Sequence, residues 1–208
     1  VENLRIIGCD IHLTRLKLRI PFRYGIATMT EMPYLFLRAH VEFGFQRASG
    51  IAADCLPVKW FTKIPTRSIA DEIEEMLLVI EHAAQIAEGQ TGASVFELWQ
   101  KIYAAQDVWR NERNLPPLLA HFGTSLVERA LIEAAGRHAQ LPFAAMLREN
   151  RLGIRLGEIH PALRGSAPRD WLPAQPLASV IARHTVGLAD PLRDAEIRPE
   201  DRVDDGLP

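Results

Sequence analysis

The chain has 208 residues, 48% hydrophobic and 24% charged, with a formal net charge of −2. These are the proportions of a soluble globular protein with room for one large domain, or one domain and part of another. They argue against a nucleic-acid partner or an anionic membrane surface, and no apolar run approaches the ~20 residues that span a bilayer. Cys9 and Cys55 stand far apart in no metal-ligand spacing, as expected of buried, reduced thiols. The N-terminus leads straight into a strand-like segment with no signal-peptide pattern, so a cytoplasmic location is expected.

Leu4 to Ile20 is strand-like. Ile7, Cys9, Ile11 and Leu13 alternate, and Leu16, Leu18 and Ile20 resume one residue out of phase. A one-residue slip moves side chains to the other face, so a bulge is expected near Thr14–Arg15. Pro21 is expected to end this strand, because it cannot donate to a ladder. An irregular loop to Pro33 follows. Tyr34 to Glu42 alternates again, with Leu35, Leu37, Ala39 and Val41 on one face, and Gly44 suits a tight turn into a third strand over Phe45–Ala53. Asp54 to Phe61 forms a second loop, rich in aromatic residues.

Helices come next. Ser68-Ile69-Ala70-Asp71 reads as a capping box, followed by apolar residues at Ile69, Ile73, Met76, Leu77, Ile80, Ala84 and Ala87, with Gly89 as the stop. Ser94 to Glu97 reads as a second box, with Leu98 and Ile102 inward. Ser125 to Glu128 reads as a third, opening a helix to about His138 after a break at Asn111–Pro117. The small residues Ala130, Ala134 and Ala135 suit close helix packing. Pro142 suits the start of a short helix to about Asn150. Arg151 to Pro176 has no firm pattern, Leu177 to Leu188 reads as a strand, and the polar end reads as a flexible tail.

Three antiparallel strands, a helical cluster, a linker and one new strand make an α+β order. With Pro21-Phe22 after the first strand and the hairpin around Gly44 and Gly50, it resembles the N-terminal capping domain of the enolase superfamily, in its mandelate racemase and muconate-lactonizing branch. The helix Ser125–Arg137 carries the most specific likeness, to a small-x-x-E-x-A-x-x-D-A-x-G pattern followed by Pro. Glu133 stands where Asp is usual, and Pro142 follows. The sequence departs from the family after Gly50, where Ile51 replaces the usual Glu and the next acid is Asp54. The resemblance implies a capping domain over residues 1–150, with residues 151–208 a linker and the first strand of an incomplete (β/α)-barrel.

It further implies a racemase, cycloisomerase or acid-sugar dehydratase: an isomerase or lyase that removes a proton α to a carboxylate while Mg²⁺ stabilises the enolate. The intact enzyme would take a small carboxylate substrate and form a homo-oligomer. The family's Lys-x-Lys base and its metal carboxylates lie on later barrel strands. The lysines here are Lys17, Lys59, Lys63 and Lys101, with no Lys-x-Lys. No catalytic residue and no metal ligand is therefore assigned, and the chain alone is expected to be inactive and to bind no Mg²⁺. What the resemblance assigns is specificity: Arg23, Tyr24, Thr28, Thr30 and Glu31 in the first loop, and Asp54, Lys59 and Trp60 in the second.

Plainer readings stand beside these. Lys59 with Asp54 reads equally as an exposed pair, Trp60 as an apolar plug, and Trp99, Tyr103 and Trp109 as core or interface. The alternative for the whole chain is a non-enzymatic α+β interaction or oligomerisation module. An independent site from His40, Asp54 and His184 needs three distant segments to converge.

Overall fold

The computed structural model describes residues 3–24, 27–62, 64, 66–183, 191–199 and 202, without the side chains of residues 19–21, 23, 24, 27 and 28. Contacts divide the chain into two compact units, Val1–His12 with Leu35–Pro176, and Leu13–Tyr34 with Leu177–Pro208.

Three strands open the chain: β1 (Leu4–Tyr24), β2 (Ala27–Phe43) and β3 (Gln46–Cys55). The β2–β3 hairpin turns at Gly44, whose φ of 58° is the left-handed value the turn demands. Leu35, Leu37, Ala39 and Val41 are all fully buried, so the alternation of β2 is read correctly from sequence.

Two expectations for β1 change. The strand continues through Pro21 to Tyr24, and β2 begins at Ala27, so the described residues of the expected first loop lie in strands. Proline is compatible with a strand wherever its missing N–H would not meet a partner. The expected unbroken alternation over Ile7, Cys9 and Ile11 also changes. Leu4 and Ile6 are buried, Ile7 is exposed, and Cys9 and Ile11 pack against the core, so the alternation shifts between Ile6 and Cys9. Gly8, with no side chain to place, sits at the shift.

α1 (Ile69–Ala87) begins with the expected capping box: Ser68 Oγ accepts from the Asp71 N–H, and the Asp71 carboxylate accepts from the Ser68 N–H. Gly89, at φ 78°, turns the chain back onto the sheet. Its N–H donates to Ile6 O at 2.9 Å, and the Ile6 N–H donates to Gln90 O at 2.9 Å. A short β4 (Thr91–Gly92) then pairs antiparallel with Leu4 and Arg5, giving the order β3-β2-β1-β4 among the described residues. Two residues are too few to leave a periodic signal.

α2 (Val95–Glu112) is capped by Ser94 Oγ, and buries Leu98 and Ile102 as expected. Tyr103 is 40% exposed and belongs to the surface rather than the core. α3 (Pro117–Ala139) starts eight residues before the expected cap. Ser125 lies inside it and its hydroxyl donates to Phe122 O at 2.8 Å. A mid-helix serine can bond back along its own helix, which makes the box pattern ambiguous; Pro117, at the first turn, marks the true start. α4 (Phe143–Arg148) and α5 (Leu156–Ile159) are short, and two single 3₁₀ turns follow at Pro161–Leu163 and Pro168–Asp170.

α3 packs on β3, and α1 and α2 pack on α3. Glycines set the spacing: a Cβ on Gly50 of β3 would stand 2.1 Å from Ala130 O, and one on Gly123 would stand 2.2 Å from Val79 O. Gln106 of α2 is fully buried and ties the three helices, donating to Val79 O and Ala120 O at 3.0 Å each and bonding His82 at 2.7 Å.

Leu177–Arg183 carries no strand; Leu177, Val180 and Ile181 are 75%, 83% and 98% exposed. An isolated strand has no neighbour to satisfy its backbone or cover its apolar face. His184–Leu188 lies outside the described residues.

Candidate functional site

The segment between β3 and α1 is built around Lys59. Its φ of 59° puts a non-glycine residue in the left-handed region. The strained turn is held by the lysine's own side chain: Nζ donates to Ile64 O at 3.0 Å, Arg67 O at 2.8 Å and Glu72 Oε1 at 2.6 Å, while the Lys59 backbone N–H donates to Glu72 Oε2 at 2.6 Å. All three ammonium donors are occupied, so Lys59 shapes the loop rather than offering a charge to a ligand.

Glu72, the other half of this clamp, is 4% exposed on the core side of α1. Burial pushes its carboxyl up, but the two Lys59 hydrogen bonds and the charges of Lys59 and Arg67 outweigh that and hold it below the usual carboxylate range. Sequence reasoning missed Glu72. The signal was there: it falls one turn ahead of Met76 on the buried face, where a charge requires a partner.

The clamp divides the neighbouring aromatics. Phe61 turns inward onto Phe122, with ring centres 4.9 Å apart. The crevice among Pro57, Phe61, Glu72, Met76 and Leu119 is about 10 Å³, room for one water at most. Trp60, next in sequence to Lys59, is left 67% exposed, so it is no plug.

Asp54 does not meet Lys59. Its carboxylate takes Arg129 of α3 at 2.9 Å, and Arg129 also donates to Ala53 O at 3.4 Å. Nearby, Glu133 accepts the Ile51 backbone N–H on the edge of β3 and pairs with Arg137 at 2.8 Å. Burial raises the Glu133 carboxyl; the Ile51 N–H and Arg137 more than compensate and keep it ionised to lower pH. The acid of the helix motif therefore ties helix to strand. Glu128, the motif's other acid, has its carboxyl pushed up by burial.

Of the first-loop residues, Thr30 and Glu31 lie exposed on β2, and Glu31 accepts from Arg15 of β1 at 3.5 Å. Arg23, Tyr24 and Thr28 lie on the same two strands; their side chains fall outside the described residues. His40 does not approach Asp54; it bonds Asp10 and Ser49 instead. Among the described residues no group of three or more His, Cys, Asp or Glu could hold a metal ion.

No family model and no curated protein matches the sequence. Solved structures do match. An enolase from alpha proteobacterium bal199 with bound magnesium superposes with a TM-score of 0.51 at 18% identity, over 69% of this chain and 34% of that one. The fold is that of an enolase N-terminal capping domain. An enolase from Bradyrhizobium, complexed with magnesium and mandelic acid, gives 0.47 at 14% identity over 70% of this chain and 35% of its own. A dipeptide epimerase from Cytophaga hutchinsonii, complexed with magnesium and D-Ala-L-Val, gives 0.47 at 17% over 69% and 33%. The chain spans about a third of the length of the solved structures it matches. In the capping fold, β3 and α3 hold Asp54 through Arg129, and α1 holds the Lys59 turn.

Proposed function

We propose that this chain is the capping part of an enolase-superfamily enzyme of the mandelate racemase and muconate-lactonizing type. The observation that carries it is the fold shared with the magnesium-bound enolase, which stands beside the Ser125–Arg137 helix motif of the sequence. In the assembled enzyme the Lys59–Glu72 clamp presents Trp60 at the mouth of the barrel, as one wall against a small carboxylate substrate. Arg23, Tyr24, Thr28, Thr30 and Glu31 serve the same end from the β1–β2 ribbon. The reaction is proton abstraction α to the carboxylate, and its base belongs to the barrel. The described residues do not fit the magnesium that this reading implies, since they include no ligand cluster for it, so its ligands too would come from the barrel.

The test has two parts. The reading frame should continue past Pro208 into a segment with Lys-x-Lys and spaced carboxylates. Its full-length product should exchange the α-proton of some member of a carboxylate panel for deuterium when magnesium is supplied. A frame closing near Pro208, or a full-length product with no exchange across the panel, refutes the reading.

A further inference from the structure

The outer face of the sheet, opposite the helices, carries three polar residues in line on neighbouring strands. Asp10 of β1 lies 2.8 Å from His40 Nε2, and Ser49 Oγ of β3 lies 2.8 Å from His40 Nδ1. Thirty residues separate the first pair and nine the second, so no local motif reveals them. Both contacts are short enough to be full hydrogen bonds. Because the Asp10 carboxylate only accepts, it fixes the His40 proton on Nε2 and leaves the Nδ1 lone pair facing the Ser49 hydroxyl. That is the arrangement of an oriented base beside a nucleophile. We propose that Ser49, His40 and Asp10 form an acyl-transfer site for small aryl esters on the open face of the sheet.

The roles follow from position. Ser49 is half-buried and reachable, and His40 is its base. Asp10 is a positioning residue; its hydrogen bond to His40 holds its carboxyl below the usual range, with the charges of His40, His12 and Arg38 adding to this. Strand alternation puts Ile51 beside Ser49 and Arg38 beside His40 on this face. Ile51 and Ile7 are 39% and 37% exposed, an apolar rest for an aryl group, and Arg38 offers a cation to a developing oxyanion. Arg47, the other flank of Ser49, is occupied by Glu42 at 2.9 Å.

In the first step Ser49 Oγ bonds to the acyl carbon, and the bond from that carbon to the aryl oxygen breaks. The Ser49 proton passes to His40 Nδ1 and then to the departing aryl oxide. In the second step water attacks the acyl-serine, giving its proton to His40. Cleavage of the acyl–Oγ bond releases the carboxylic acid and returns the proton to Ser49. No oxidant or metal is needed.

The experiment is 4-nitrophenyl acetate hydrolysis by the full chain, with peptide mapping after treatment with the ester and with a fluorophosphonate. Wild type should carry the acetyl or phosphonyl group on Ser49. Ser49→Ala and His40→Gln should each slow nitrophenolate release by about 10²-fold, the low end for a positioned base on an open face. Asp10→Asn should keep the mark on Ser49 and lower kcat while leaving KM unchanged, and Asp10→Glu should restore part of the lost rate. The other charges on this face, His12, Arg38, Glu42 and Arg47, stay the same. Modification of other residues only, or a Ser49→Ala chain that folds and keeps the wild-type rate, overturns the proposal. The mapping uses unaltered protein, so a misfolded variant does not decide the matter.

Discussion

Gly50→Ala tests the contact on which the capping fold depends. β3 crosses α3 so closely that the new Cβ would lie 2.1 Å from Ala130 O, 2.3 Å from Ala134 N and 3.0 Å from Ala134 Cα. An ordinary carbon–oxygen contact needs about 1 Å more than the first of these. All three obstacles are backbone atoms, so no rotamer change relieves them, and strand and helix must separate. Overpacking of this kind costs about 1–3 kcal/mol where side chains can adjust. With only backbone to move, the upper end is expected, about 3 kcal/mol. For a chain of this size that is a fall in Tm of about 6–12 °C. The separation also loosens the Glu133 contact to the Ile51 N–H and the Arg129 contact to Asp54. Circular dichroism melts of Gly50→Ala against Gly8→Ala provide the assay. A Cβ on Gly8 meets nothing within 4 Å, so that variant should melt like wild type. A Gly50→Ala protein melting within about 2 °C of wild type would refute the close-crossing argument.

Other expectations concern single groups. Glu72→Gln should cost about 1–2 kcal/mol by urea titration, the value of a charged hydrogen-bonded pair with one partly exposed member. Because the folded Glu72 carboxyl sits below its unfolded value of ~4.3, the clamp contributes fully above that pH and is lost as pH falls through the folded value. The variant's stability should therefore decline less on acidification than that of wild type. Ser68→Ala removes one side of the α1 capping box and should cost about 1 kcal/mol in the same titration. Burial, with Asp10 and Glu88 nearby, pushes the Cys9 thiol up to about 12, so at pH 8 it should react with a disulfide reagent only after denaturant is added. Fast labelling of Cys9 in the native protein would contradict its placement.

Much of the architecture was legible because it is encoded over short spans. The alternation of Leu35 to Val41, the glycine at position 44 and the Ser68–Asp71 box each specify local geometry through neighbours two to four residues away. The same locality explains the errors. Ser125-Leu126-Val127-Glu128 satisfies the helix-start pattern while lying mid-helix, since the pattern does not register Pro117 eight residues before it. Leu177–Arg183 has the composition of a strand, but a strand needs a ladder partner, and composition does not supply one.

By itself the sequence determined the alternation of β2, the turn at Gly44, the caps at Ser68 and Ser94, and the close-packing helix with its small residues. Only the tertiary structure decided which charges meet. Lys59 closes on Glu72 rather than Asp54, Asp54 takes Arg129 across 75 residues, and Glu133 caps an edge N–H across 82. The physical reason is that a charge is satisfied by whatever the folded chain brings within about 3 Å. That proximity follows from the packing of α3 on β3, where Gly50 sets the distance of approach, and of α1 on α3, where Gly123 does.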